Sequence, residues 1–407
     1  MKILYINQPW NNRGDEAAHK ALIRKMVKTL DAEIDVLITW GKKETIDQFK
    51  VSDTKVRYFF FRPRHRRYYT RIALGGLRRN MKFLWYFHPD TRRLLKLYKK
   101  YDLVFNSPGG ISLGGFQNWN HLFLLHVAKY LKKPIAYYGR SFGPFPISNA
   151  IERRYTELCY SVLRYFSFLS IRDKKTEKLA QELKINYVPT LDCAFLEQPR
   201  VKLPADIKNL IGEDYVVFVP NLLVWHYNYR NRVEKSLVLA FFEKIGYKLL
   251  EHYPSSKIVM LPQTFNYDNP KENDRNFFLE IAQRISSDRI VVLSDQYSSD
   301  IQQTIISSSK CVAGARYHSI VFAINNCVPF VALSYEHKIA GLLETLGKED
   351  NMIDIVNTFD NMDSVDETVR NIENKLAIVH ADTNAQKTAK KFAEFSYNKF
   401  LDYLNNL

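Results

Sequence analysis

Four side chains in this sequence share a setting that suits anion chemistry: Arg172, Arg316, His318 and Lys338. Each follows a short apolar run and precedes a helical pattern. Arg316-Tyr317-His318-Ser319 places a forked cation, an imidazole and a hydroxyl at a helix start. Free N–H groups and the helix dipole already favour anions there. Tyr335-Glu336-His337-Lys338 follows the next apolar run, and Arg172-Asp173 follows an earlier one. Arginine binds planar anions through paired donors, lysine supplies a point charge, and histidine can act as acid or base near neutrality. The expected ligand therefore carries more than one negative charge. The competing accounts are structural: an Arg172–carboxylate pair, and a histidine that caps or packs.

Glycine loops occupy equivalent places. Asn12-Arg13-Gly14-Asp15-Glu16-Ala17 follows the first apolar run, and its acids would cap a helix and complement its dipole. Pro108-Gly109-Gly110-Ile111-Ser112-Leu113-Gly114-Gly115 would offer bare backbone N–H groups, although a tight connection explains it as well. Gly139-Arg140-Ser141-Phe142-Gly143-Pro144 sets a cation inside a further glycine turn, with a buried structural arginine as the other reading. Asn12, Gly14, Asp15, Gly109, Gly110 and Arg140 are thus further ligand candidates.

These positions need an alternation of strands and helices. Strands are expected at Lys2–Asn7, Ile34–Thr39, Val56–Phe61, Leu103–Ser107, Ile135–Gly139 and Phe168–Arg172, then at Tyr215–Pro220, Lys257–Pro262, Arg289–Ser294, Cys311–Ala315, Pro329–Ser334 and Met352–Ile355. Helical patterns separate them, including Asp15–Leu30, Val233–His252, His318–Asn326 and His337–Leu346. Such alternation means parallel sheets covered on both faces. The fold class is α/β, with two Rossmann-like domains over 1–197 and 198–375 and a C-terminal helix in 376–407 that crosses back. The join falls near Glu197–Leu210, which holds Pro199 and Pro204. Ligands of open α/β sheets bind beyond the carboxyl ends of the strands, where all these candidates lie.

The 407 residues suit two domains, and 46% hydrophobic with 25% charged residues excludes global disorder. No apolar run approaches the roughly 18–20 residues of a spanning helix. The N-terminus turns polar after MKILYIN, so no signal peptide is expected. Cys159, Cys193, Cys311 and Cys327 lie far apart, so no disulfide framework or metal site is expected, and the compartment is read as a reducing cytoplasm. The net charge of +16 is concentrated: residues 51–100 hold fifteen Lys/Arg, two acids and eleven aromatics, a local +13. Two readings stand, an anionic membrane surface touched by the helical pattern Tyr68–Lys100 (Arg78, Arg79, Lys82, Arg92 and Arg93 nearest the lipid), or a solvated face with its aromatics in the core. No nucleic-acid motif accompanies the patch.

Taken together, N-x-G-D-x-A (Asn12 to Ala17), Gly109-Gly110, G-x-x-x-G-P (Gly139 to Pro144), Arg172-Asp173, R-x-H (Arg316 to His318) and Y-x-x-K (Tyr335 to Lys338) resemble the polysaccharide pyruvyl transferase family from about Asn12 to Leu346. Arg140 stands where that family often has glutamine, and Arg316-Tyr317-His318-Ser319 departs from its R-L-H-G form. The resemblance implies a GT-B-like arrangement with an interdomain cleft, the first domain on the acceptor side and the second on the donor side. It implies phosphoenolpyruvate as donor and co-substrate, no cofactor, and a sugar hydroxyl pair as acceptor, free or polyprenyl-diphosphate-linked. His318 and Arg172 would be catalytic, and Arg172, Arg316, His318 and Lys338 would bind the donor. The alternatives are a GT-B glycosyltransferase using a nucleotide sugar, whose E-x₇-E pair at Glu243 and Glu251 would lie along a helix and not at a strand end and is discounted, and a non-catalytic membrane-surface module.

Overall fold

The computed structural model describes the chain apart from residues 42, 65, 227, 228, 230, 231, 266–272, 295 and 296. It divides into two units. The first comprises Met1–Trp10, Ala18–Leu196 and Phe392–Leu407; the second comprises Asn11–Ala17 and Glu197–Lys391.

In the first unit the strands are β1 (Lys2–Ile6), β2 (Glu33–Ile38), β3 (Val56–Phe60), β4 (Leu103–Asn106), β5 (Gly109–Leu113), β6 (Ile135–Tyr137), β7 (Arg140–Phe142), β8 (Phe168–Ile171) and β9 (Val188–Pro189). The main sheet runs β3-β2-β1-β4-β6-β8-β9, all pairs parallel. Its central strands are buried along their length, which is why they read as unbroken apolar runs. After β3 the chain returns to the other side of β1, so β1 and β4 flank the point where strand order reverses.

The second unit repeats this plan with β10 (Tyr215–Val219), β11 (Lys257–Met260), β12 (Ile290–Val292), β13 (Val312–Gly314), β14 (Phe330–Ser334) and β15 (Met352–Asp354). The order is β12-β11-β10-β13-β14-β15, again parallel throughout, with the reversal between β10 and β13. Helices Lys235–His252, Asp274–Ile285 and Met362–Leu376 pack together in this unit. Both units therefore have the doubly wound Rossmann order expected from the alternation of elements.

Three features depart from the sequence reading. The glycine stretches after β4 and β6 are not plain loops, because β5 and β7 pair as a separate parallel ribbon. The pattern Tyr68–Lys100 is not one helix. It splits into Arg66–Arg78, a 3₁₀ turn at Lys82–Tyr86 and Pro89–Tyr98. Asn80 adopts φ 56°, and Pro89 can only open a new helix, which His88 caps by accepting the Asp90 N–H at 3.2 Å. Finally, Asn11–Ala17 groups with the second unit, whereas a boundary at residue 197 assigns it to the first. Its backbone explains why: Arg13 N–H donates to the Gln263 carbonyl at 2.8 Å, and Phe265 N–H donates to that of Asn11 at 3.0 Å.

The helix Thr383–Asn405 contributes residues to both units. In the second, Gln386 Nε2 donates to the Asn325 carbonyl at 2.7 Å. In the first, Phe400 meets Phe105 and Phe168 with ring centroids 5.4 and 5.2 Å apart, and the Tyr397 and Thr29 hydroxyls bond at 2.5 Å.

The first unit buries three histidines in neutral form. Burial, reinforced by nearby cations, lowers His19, His121 and His126 from 6.5 to about 3. For His126 the Leu158 carbonyl, 3.0 Å from Nε2, can only accept, so Nε2 carries the proton. A depressed histidine contributes stability that is complete above 6.5 and lost as pH falls toward 3. Urea unfolding at a series of pH values should show stability falling across that window. His126→Gln should reduce the dependence by up to about 1.4 kcal/mol per pH unit. An unchanged slope would mean that His126 is protonated in the native state.

Candidate functional site

The second unit gathers its candidates where strand order reverses. β13 ends at Gly314, and the helix begins at Tyr317 and runs to Asn325, with Arg316 as its N-cap residue. The Arg316 side chain does not cap that helix. Ser319 donates from both its N–H and its hydroxyl to the Arg316 carbonyl, at 3.0 and 2.5 Å. His318 thus sits in the first turn, 7% exposed, with its ring edge-on to Tyr317 at 5.0 Å and near Phe322 at 6.1 Å.

Gly14 lies directly against that imidazole. A Cβ at position 14 would fall inside the His318 ring, so only glycine fits. The loop carrying Gly14 is held on both sides. Asn12 Oδ1 accepts the N–H groups of Gly14 and Asp15 at 2.7 and 3.3 Å, which starts the helix Arg13–Thr29. Asn12 Nδ2 donates to the Thr264 hydroxyl at 3.2 Å. Arg13 and Glu16, both fully buried, pair at 2.7 Å, and Arg13 lies over the Phe265 ring at 4.5 Å. Glu16 also accepts the Ser299 N–H at 3.1 Å, so it is more than a charge complementing the helix dipole.

Arg316 is fixed by a residue that sequence reasoning missed. Asp274, the first residue of the helix Asp274–Ile285, holds the Arg316 guanidinium with one carboxylate oxygen. Its other oxygen accepts the N–H groups of Gln263 and Thr264 at 3.0 and 2.8 Å. Burial would lower the Arg316 pKa, but Asp274, then Tyr335 and Glu336, hold it above its ordinary value, so it stays cationic. In sequence, Asp274 looks like an ordinary acid at a helix start.

Lys338 has a similar fixed partner. It pairs with Glu336 at 3.3 Å, and His226 Nε2 lies 3.7 Å from the same carboxylate. Burial alone would raise Glu336, but Lys338, His226 and His337 offset it and bring the carboxyl down to about 2. Tyr335 packs edge-on to His226 at 5.2 Å, and burial pushes its hydroxyl pKa up. Asn221, just after β10, donates to the Ala315 carbonyl at 3.4 Å across the reversal point. The second unit therefore presents a helix N-terminus, His318, Arg316 and Lys338, with the two cations oriented by carboxylates. This set can bind an anion and move a proton.

In the first unit Arg172 follows β8 and pairs with Asp192, both side chains nearly fully buried. Asp192 also accepts the Ala194 N–H at 3.0 Å. The signal for Asp192 was an acid set in the apolar run Leu191-Asp192-Cys193. Arg140 is buried and donates to the carbonyls of Gly110, Asn7 and Ser107 at 2.9, 2.8 and 3.2 Å. It clamps the loops after β1 and β4. Gly109 and Gly110 lie in β5 beside it.

Two variants test the second-unit assembly. Gly14→Ala should displace the His318 ring at an overpacking cost of about 1–3 kcal/mol, read as a changed imidazole NMR shift with lowered stability. Asp274→Ala should cost about 3–5 kcal/mol in denaturant unfolding, because a buried Arg316 loses its counter-charge. A Gly14→Ala protein with native stability and unmoved His318 resonances would contradict the close packing described.

Comparison with known proteins agrees with this architecture. The UDP-GlcNAc 2-epimerase of Neisseria meningitidis bound to UDP-GlcNAc superposes with a TM-score of 0.58 at 14% identity, covering 98% of this chain and 100% of that one. The sucrose-phosphate synthase of Thermosynechococcus elongatus does so with 0.54 at 10% identity, covering 100% and 98%. At such identities the likeness shows the fold alone, the two-domain GT-B type. In sequence, the amylovoran biosynthesis protein AmsJ of Erwinia amylovora is 23% identical over 387 residues, covering 88% of this chain and 89% of AmsJ. The family model for polysaccharide pyruvyl transferase matches residues 12–337, from the loop that carries Gly14 through His318 to the start of the Lys338 helix, and the chain belongs to that family.

Proposed function

We propose that this transferase moves the pyruvyl group of phosphoenolpyruvate onto two hydroxyls of one sugar, forming a pyruvate ketal and releasing inorganic phosphate. The acceptor is a sugar of an exopolysaccharide or of its lipid-linked precursor; the relative AmsJ is named for amylovoran biosynthesis. The observation that carries the reading is the seating of His318 in the first turn of its helix, against Gly14 and beside a guanidinium fixed by Asp274.

Phosphoenolpyruvate carries a carboxylate and a phosphate. The helix N-terminus and Lys338 suit these anions, and Arg316 adds a fixed positive field. The reaction balances in two additions. One sugar hydroxyl loses its proton and bonds to C2, while the methylene carbon gains a proton and becomes a methyl group. The second hydroxyl then bonds to C2 as the C2–O bond to phosphate breaks, and its proton leaves with the phosphate. His318 serves as the acid and base for these transfers. No redox step is required.

The E-x₇-E pair of the nucleotide-sugar alternative lies within one helix, as its place in the sequence indicated. Glu243 pairs with Arg284 at 3.2 Å and Glu251 with Lys248 at 2.9 Å along the helix Lys235–His252, away from any strand end.

The test is phosphate release from phosphoenolpyruvate in the presence of a panel of lipid-linked sugars. His318→Ala should lower kcat by about 10²–10⁴ with the fold retained. Lys338→Ala should raise KM for phosphoenolpyruvate more than for the acceptor, and Lys338→Arg should recover only part. Arg172→Ala tests separately whether the first unit contributes to the reaction. Activity of His318→Ala within a few-fold of the parent would remove the assignment. Release of a nucleotide from a sugar nucleotide, with no phosphate from phosphoenolpyruvate, would replace the donor.

A further inference from the structure

The basic segment 51–100 belongs to the first unit, and its surface is unusual. Fourteen of its fifteen lysines and arginines are exposed, and Lys82 is half-buried. Of its two acids, Asp90 is buried, accepting the Arg64 N–H at 2.8 Å and pairing with Arg93 at 3.4 Å. Lys55 and Arg57 pair with Asp31 and Asp35, at the far end of the segment from the 3₁₀ turn.

The aromatics of the segment divide between the core and the surface. Trp85, Phe61 and Tyr98 are core residues. Tyr68, Phe83 and Phe87 are 65%, 53% and 73% exposed, and Tyr86 is exposed as well. The 3₁₀ turn Lys82–Tyr86 explains the split. Trp85 points inward, donating Nε1–H to the Ala73 carbonyl at 3.1 Å, and the Thr91 hydroxyl bonds the Trp85 carbonyl at 2.5 Å. Gly76 lets the indole approach, since a Cβ there would lie 2.8 Å from Nε1. With the turn fixed by Trp85, Phe83 and Tyr86, three residues apart, share the opposite face. Phe83 and Phe87 stack edge-on at 6.4 Å.

Cations border these rings. Lys82 lies close enough to Lys129 and Arg154 that, after burial, they lower its pKa. Arg154 donates to the Arg78 carbonyl at 2.7 Å and also pairs with Glu157 at 3.1 Å, an acid facing this side. Arg78 lies over the Trp119 ring at 4.1 Å. Ile151, one helical turn before Arg154, is 58% exposed. Arg66, Arg67, Arg71 and Arg79 extend the exposed charge along the neighbouring helix and its end.

We propose that this face docks on an anionic lipid bilayer, the exposed rings entering the interfacial layer and the arginines and lysines meeting acidic headgroups. Exposed aromatics beside a strongly basic surface match the two components of such binding, apolar insertion and attraction to headgroups. A soluble polyanion would use the charge but gives no reason for Phe83 and Phe87 to face solvent. The proposal is independent of the reaction catalysed.

Vesicle sedimentation with the full chain tests it, using phosphatidylcholine alone and an equimolar mixture with phosphatidylglycerol. Binding should require phosphatidylglycerol and fall with salt, since the attraction is screened within a Debye length. Each basic residue contributes about fivefold to partitioning, so Arg66→Glu, Arg67→Glu and Arg71→Glu together should weaken it by at least roughly a hundredfold. Phe83→Ser with Phe87→Ser should reduce the binding that survives high salt. Both variants alter exposed side chains, so circular dichroism should be unchanged. Negligible binding at low salt, equal binding to both vesicle types, or binding unaltered in both variants would overturn the proposal. So would retention by polygalacturonate, a soluble acidic polymer, with none by vesicles.

Discussion

The Asp274 carboxylate sets the geometry of the second-unit site. One oxygen takes the main-chain N–H groups of Gln263 and Thr264, and the other holds the Arg316 guanidinium. Gln263 in turn receives the Arg13 N–H, and Thr264 receives Asn12. A single buried acid therefore fixes the loop after β11, the N-terminal residue of the helix bearing His318, and the loop that places Gly14 under the imidazole. Removing a charge from such a network leaves its partner buried and uncompensated, which costs far more than a surface ion pair contributes.

The same logic governs the other cations. Arg172 has Asp192, Arg13 has Glu16, and Lys338 has Glu336. Each guanidinium or ammonium is held in one orientation before any ligand arrives. For an anion-binding site, preorganised charge is worth more than mobile charge, because little reorganisation remains when substrate charge develops. It also means that strand-end cations are not equivalent. Arg140 spends its donors on three carbonyls and serves the loops around it, whereas Lys338 keeps a partly exposed side chain.

The two sheets share a strand order but use their reversal points differently. In the first unit the loops after β1 and β4 are tied by Asn7, Asn106, Ser107 and Arg140 into a buried polar network. In the second, the loops after β10 and β13 carry Asn221, Arg316 and His318. The first unit adds a basic surface with outward-facing rings, fixed by a tryptophan that the core anchors. The groups around His318 and the basic surface thus belong to different units of the chain.

The sequence alone determined the element types, because β-branched runs buried on both faces and amphipathic helices carry distinct periodicities. It also determined that the polar candidates follow strands, and the order of short motifs that marks the family. It could not reveal β5, which opens on two glycines, and β7, a three-residue strand between glycines, nor the break at Asn80 and Pro89 in what looked like one helix. Only tertiary structure decided which charges pair. Asp274 and Arg316 lie 42 residues apart, and Gly14 meets His318 from the other end of the chain. Such contacts depend on which strand ends the fold brings together, and periodicity, which is local, holds no record of them.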